Sequence, residues 1–238
     1  MNPVELKLFS SRVGAICDEM GLVLRRSAFS PNIKDRLDFS CALFGSDGEL
    51  VAQAAHIPVH LGSMAFVMGD LVRQRDWQPG DMLVLNDPFL GGTHLPDVTL
   101  IAPVFEAGGS EHGVDALIGF VANRAHHANI GCDTPGSMPV SSTLAEEGVI
   151  IAPTLLLRGE QLQRTEIPLA DLQGEQLSGD FAAQAGANRV GVKRLQALVA
   201  NMGVANYQSG ILELNAYADR ITLAVIAQLQ PGEYHFED

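Results

Sequence analysis

Three stretches of the sequence gather residue types that hold metal ions. The first is NDPFLGGTHLPD, residues 86–97. Its paired glycines let the backbone turn tightly, and Pro96 stiffens the chain just before Asp97. His94 and Asp97, three residues apart on such a loop, can converge on one cation. Imidazole with carboxylate suits Zn²⁺, Mn²⁺ or Fe²⁺ better than Ca²⁺. The second stretch is NRAHHANIG, residues 123–131, at the end of a predicted strand. Adjacent strand residues point to opposite faces, so only one of His126 and His127 faces a given site. The other is left for ligand orientation, substrate binding or packing. The third is KDRLDFS, residues 34–40, a charged turn entering a hairpin, where one of the two carboxylates could complete a coordination shell.

Several of these residues have plainer readings. An isolated HxxD spacing is usually structural. Asp87 before Pro88 suits a turn, and Asp35 with Arg36 reads as a solvated ion pair. His56 and His60 stand at i and i+4 in HIPVH, but Ile57-Pro58-Val59 reads as extended, which separates them and points to packing or pocket lining. Ser137 in PGSMP lacks the GxSxG elbow of a nucleophile and reads as a turn. The sequence has no GxxxxGK[ST] and no GxGxxG, so no nucleotide site is expected on it.

These side chains need a scaffold, and the pattern of apolar residues outlines one. Asn2, Pro3 and Glu5 form a helix-start signature. Phe9, Val13, Ile16 and Met20 then share a face, with the helix ending near Gly21 or running on to Arg26. Residues 39–44 and 49–54 read as a hairpin around Ser46-Asp47-Gly48. Residues 63–75 read as a helix, and 82–85, 98–105, 114–122 and 152–157 as strands, with a polar connection at 106–113. After about residue 175, Val192, Leu195, Leu198 and Met202 mark one helix. Tyr207, Ile211, Leu214, Ala218, Ile221 and Val225 mark another, with Gly203 between them. The expected fold is α+β: a mixed or antiparallel sheet bearing the site (residues 1–174), with a C-terminal antiparallel helical pair (175–230).

Composition narrows the function classes. The 238 residues carry 15 basic against 28 acidic side chains, a net charge of −13, and 47% are hydrophobic. That is a folded chain with an acidic surface, which disfavours nucleic acid and anionic membranes as partners. No apolar run has the length of a membrane span. The start does not read as a signal peptide. Three scattered cysteines without CxxC fit a reduced, cytoplasmic protein rather than a disulfide framework or a thiolate zinc site.

Taken together, DRLDFSCALF (35–44), GELVAQAAHIPVHLGSM (48–64), PGDMLVLNDPFLGGTHLPDVTLIAPVF (79–105), GFVANRAHHANIG (119–131), PGSMP (135–139) and GANRVGVKRL (186–195) resemble, in order, the hydantoinase B/oxoprolinase family. The resemblance spans nearly the whole sequence. It implies a B-type subunit of an ATP-dependent cyclic-amide hydrolase acting on a hydantoin, 5-oxoproline or a related lactam. A hydantoinase A/oxoprolinase-type ATPase subunit would phosphorylate the carbonyl oxygen, and water activated by a divalent metal would open the ring. The family's ligands match His94, Asp97, His126 and, in the DRxDFS block, Asp38. His127 and Asp87 are then candidate catalytic groups. Asn86, Asn123 and Arg124 are candidates for orienting ligands or holding an anionic phosphate. ATP belongs to the partner. An acetone-carboxylase-like subunit, or a shortened remnant that only binds a partner, is the alternative. Family members normally continue beyond the point where GEYHFED ends this sequence, so a truncated domain is expected.

Overall fold

A computed structural model describes residues 1–55, 57–60, 62–106, 116–132, 134, 136–163, 175–230 and 232–237. His56, Pro135 and most of the 106–113 connection lie outside the described residues.

The first helix, α1 (Pro3–Ser27), starts where its caps dictate. The Asn2 side chain accepts from the Val4 and Glu5 amides, and the Glu5 carboxylate accepts from the Asn2 amide in return. It runs through Gly21, which is buried in the helix face. A single turn, α2 (Pro31–Lys34), leads into the hairpin β1 (Phe39–Gly45) and β2 (Leu50–Ala55). A 3₁₀ turn at Pro58–His60 and α3 (Ser63–Arg73) follow. Next come β3 (Met82–Leu85), a 3₁₀ turn at Pro88–Leu90, β4 (Asp97–Phe105) and β5 (Leu117–His126). The one-turn α4 (Leu144–Glu147), β6 (Thr154–Arg158), β7 (Gln161–Leu162), α5 (Glu175–Met202) and α6 (Val204–Ile226) complete the described elements. No helix among the described residues is long and apolar enough to cross a membrane.

The strands form one sheet in the order β2-β1-β5-β4-β3-β6-β7, with every pairing antiparallel. Both faces of its centre are covered, so the strands read as continuous apolar runs and alternation sorts their side chains. Cys41, Leu43, Val98, Leu100, Val121 and Ala125 face one core, with Val13, Ile16 and Met20 of α1 and Ala187 and Leu195 of α5. Ala42, Phe44, Ile101, Phe120 and Ala122 face the other, with Met64 and Met68 of α3 and Trp77. Trp77 meets Phe120 edge to face at 5.2 Å and donates its indole N–H to the Val72 carbonyl.

Two boundaries differ from expectation. β5 continues to His126, which puts Asn123 and Arg124 inside the ladder. α5 begins far upstream of Val192 because its first half reaches the sheet with amides. Gln184 donates to the Val98 carbonyl and Asn188 to that of Leu100, which breaks the apolar spacing. The two C-terminal helices meet at Gly203 as expected. α5 packs mainly on α1 and the sheet, and α6 is covered only along its first turns, where Tyr207 and Gly210 are buried.

Candidate metal centre

The candidate ligands meet at one end of the sheet, on the face that α3 leaves open. Asp97 and His126 are direct ladder partners across β4 and β5, and the His126 amide donates to the Asp38 carbonyl at 3.0 Å. Strand parity sends Asp38, Asp97 and His126 to the same face. His94 joins them from the loop before β4. Its Nε2 lies 3.1 Å from Asp97 Oδ1, and His126 Nδ1 lies 3.4 Å from the same oxygen and 3.6 Å from Asp38 Oδ2. One ligand atom from each of His94, Asp97 and His126 falls within 4.8 Å of the others. Asp38 and not Asp35 reaches the cluster, since Asp35 stands exposed at the end of α2.

The loop is shaped by its glycines and by Asn86. Gly91 adopts φ +93°, and a Cβ on Gly92 would stand 2.6 Å from the Asn86 carbonyl oxygen, so only glycine permits this close approach. Asn86 is buried and fully used. It donates to the carbonyls of Leu95 and Val149 and accepts from the Ile151 amide. Leu95 is buried beneath the loop, and the Pro96 carbonyl accepts from the His127 amide. The backbone carrying His94 and Asp97 is therefore pinned on both sides.

The chemistry of the donor set fits a divalent cation. Asp97 is 1% exposed, and its Oδ1 has no hydrogen bond of proper geometry, whereas Thr93 Oγ1 and His60 Nε2 both serve Oδ2. A buried carboxylate oxygen left without a donor is costly unless something positive meets it. His126 Nε2 lies 2.8 Å from the Gly136 carbonyl, which can only accept, so that nitrogen holds the proton and Nδ1 is free to ligate. His94 keeps 35% of its side chain exposed and Asp38 19%, so the centre opens to solvent on their side. There it borders a cavity of ≈ 390 Å³ lined by Asn32, Arg36, Ile57, Val59 and Met138.

The protonation behaviour is that of a mutually dependent cluster. Burial works against ionising Asp97, but the imidazoles of His126, His60 and His94 outweigh it and hold the carboxyl far below the ordinary range. Burial raises Asp38, aided by the Asp97 charge and opposed by the histidines. Burial also disfavours a charged His126, yet Asp97, the Gly136 carbonyl and Asp38 raise it above the usual imidazole value. Arg124 is pushed down to about 10 by burial, and Asp97 opposes the shift.

The other sequence candidates sit elsewhere, and their readings are corrected. His127 is wholly buried on the opposite face. There its Nε2 bonds Gln184 Oε1 at 2.9 Å and its ring meets Phe181 edge-on, so it does not reach the cavity. Asp87 caps the 3₁₀ turn by accepting from the Phe89 amide, as the turn reading has it, and does not line the cavity. Asn123 also faces α5, donating to the Gln184 carbonyl and to Asn188 Oδ1. Arg124 lies on the correct face but is 1% exposed and committed to Thr99, Ser63 and the Gly91 carbonyl. It braces the loop instead of meeting an anion. Ser137 is a turn residue at φ +55° whose hydroxyl accepts from the Ile130 amide. His60 is the residue that the spacing missed. The Pro58–His60 turn swings it inward, and no local sequence signal announces that turn.

The profile of the Hydantoinase B/oxoprolinase family matches residues 2–238. The chain belongs to that family. It is 39% identical over 210 residues to a 5-oxoprolinase of Dictyostelium discoideum, a match covering 86% of this chain and 16% of that protein. An ATP-dependent caprolactamase from Pseudomonas jessenii shares its structure with a TM-score of 0.82 and 26% identity, over 98% of this chain and 40% of the other. An acetone carboxylase shares the fold alone, at a TM-score of 0.75 and 19% identity over 90% of this chain and 28% of the other. This family member thus spans well under half the length of the relatives it matches.

Proposed function

We propose that these residues form the metal-holding part of an ATP-dependent enzyme that opens cyclic amides such as hydantoins, 5-oxoproline or related lactams. The observation that carries this reading is the buried Asp97 Oδ1, left without a hydrogen bond while His94 and His126 aim nitrogens at it. Family membership supplies the substrate class. The relatives include a 5-oxoprolinase and an ATP-dependent caprolactamase.

An amide carbonyl is a poor electrophile because nitrogen lends it electron density, and phosphorylating its oxygen produces an imidate-like carbon open to water. The sequence carries no phosphate-binding loop, so ATP chemistry is assigned to a hydantoinase A/oxoprolinase-type partner. Asp38, His94, Asp97 and His126 would hold Zn²⁺, Mn²⁺ or Fe²⁺, the two carboxylates balancing its charge. Such an ion supplies Lewis acidity and lowers the pKa of water. The chain's own residues do the placing. Asn86 and Arg124 hold the loop, Thr93 holds Asp97, and Ile57, Val59 and Met138 give the cavity an apolar wall. Its volume suits a small ring. The free thiols Cys17, Cys41 and Cys132 accord with a reducing, cytoplasmic setting.

The test combines the chain with its ATPase partner, ATP and either a lactam or a ketone with bicarbonate. Ring opening coupled to ADP release, lost when the metal is chelated and restored on its return, is the expected result. Turnover of the ketone alone would replace this reading with the carboxylase one. Neither metal uptake nor partner association would leave a non-catalytic remnant.

A further inference from the structure

His60 completes a buried chain of hydrogen bonds behind the cluster. Its Nδ1 lies 3.0 Å from Ser40 Oγ and its Nε2 3.2 Å from Asp97 Oδ2, and the residue is wholly inaccessible. A carboxylate can only accept, so Nε2 carries the proton and Nδ1 accepts from the Ser40 hydroxyl. Ser40 stands on β1 two residues beyond Asp38, on the same face and opposite Arg124 in the ladder. The sheet that places the ligands therefore also fixes the tautomer of His60. Thr93 Oγ1 is the second donor to Oδ2, while Oδ1 has none. The two oxygens of one carboxylate are thus divided: one is saturated by the protein, the other is offered to the cluster.

We propose that His60 is a positioning residue whose Nε2–H, with the Thr93 hydroxyl, occupies Asp97 Oδ2 and presents Oδ1 as the single oxygen available to a divalent ion beside His94 and His126. This role rests on the metal reading above. The competing role is direct ligation. Atoms of Asp38, His60 and Asp97 also lie within 4.8 Å of one another, but His60 would have to give up its proton and its bond to Asp97 to coordinate an ion. A positioning role sets a moderate effect, because hydrogen-bond partners of metal ligands typically contribute roughly 10–100-fold in affinity.

The experiment titrates the full chain with Co²⁺ against a chromophoric chelator and records the visible Co²⁺ spectrum of the wild type, His60→Ala, His60→Gln, Ser40→Ala and His94→Ala. The glutamine amide reaches where Nε2–H stood. His60→Ala should keep one Co²⁺ per chain and the wild-type spectrum with affinity lowered roughly 10–100-fold. His60→Gln should recover most of that loss, and Ser40→Ala should lose a few-fold. Should His60→Ala fail to fold by circular dichroism, His60→Gln decides, near-wild-type affinity supporting the role. His60→Ala at wild-type affinity overturns it. So does a His60→Gln chain with an altered spectrum and affinity as low as His94→Ala, which makes His60 a ligand. A wild-type chain that takes up no Co²⁺ brings down the metal reading and this role together, a result distinct from a metal-binding wild type indifferent to His60→Ala.

Discussion

His126 and His127 are neighbours in the chain and have opposite fates. Both are almost inaccessible and both sit at the end of β5. His126 points to the face left open beyond α3, where two carboxylates raise its affinity for a proton. His127 points to the face covered by α5, where burial lowers that affinity and a glutamine and a phenylalanine surround the ring. The difference comes from which element covers each side of the sheet and not from residue type. A histidine becomes a candidate ligand when carboxylates share its face and nothing fills the space between them. It becomes a packing residue when a helix does.

The contrast can be broken most severely at the ligands. His94→Ala should abolish stoichiometric metal while leaving the fold intact, because the side chain is partly exposed and its loop is pinned by Asn86 and Leu95. Elemental analysis with circular dichroism checks both halves, and full metal content would refute the assignment. His127→Ala should do the reverse. It orphans Gln184 Oε1 and opens a gap against Phe181, so urea unfolding should show a loss of about 2–3 kcal/mol with metal content unchanged.

Acid sharpens the same pair. In the metal-free protein His126 should keep its proton to higher pH than an ordinary imidazole, and His127 should lose its own at lower pH; a pH titration of their NMR signals tests this order. Metal uptake must displace the His126 proton, so affinity should fall as pH drops below that raised pKa, by about tenfold per unit for the one proton. Affinity independent of pH there would remove His126 from the ligand set. The smallest effect is expected at Asp87. Asp87→Ala should cost about 0.5–1 kcal/mol through the lost cap and Asp87→Asn close to nothing, both at wild-type metal content.

Much of this arrangement is legible in the sequence, for local reasons. The caps at Asn2 and Glu5, the Ser46-Asp47-Gly48 turn and the pairing of His94 with Asp97 are all set within a few residues of one another. Strand parity also requires His126 and His127 to part company. It does not say which of them meets the carboxylates, because that depends on β4 lying beside β5 with Asp97 opposite His126. His60 escaped for a related reason. IPVH has no helical spacing, and only the Pro58–His60 turn, with Ser40 and Asp97 waiting from distant segments, gives the side chain its place. α5 is longer than its apolar spacing suggests because Gln184 and Asn188, polar yet buried, bond to β4 carbonyls that no local pattern reveals.

The direct opposition of Asp97 and His126 in the β4–β5 ladder has one more consequence. Sliding either strand by a single position would turn one of the two side chains toward the helices and leave the other alone. Uptake of an ion would then certify that these strands have paired in their proper alignment, so the centre would serve as a built-in gauge of correct assembly as well as a place for chemistry.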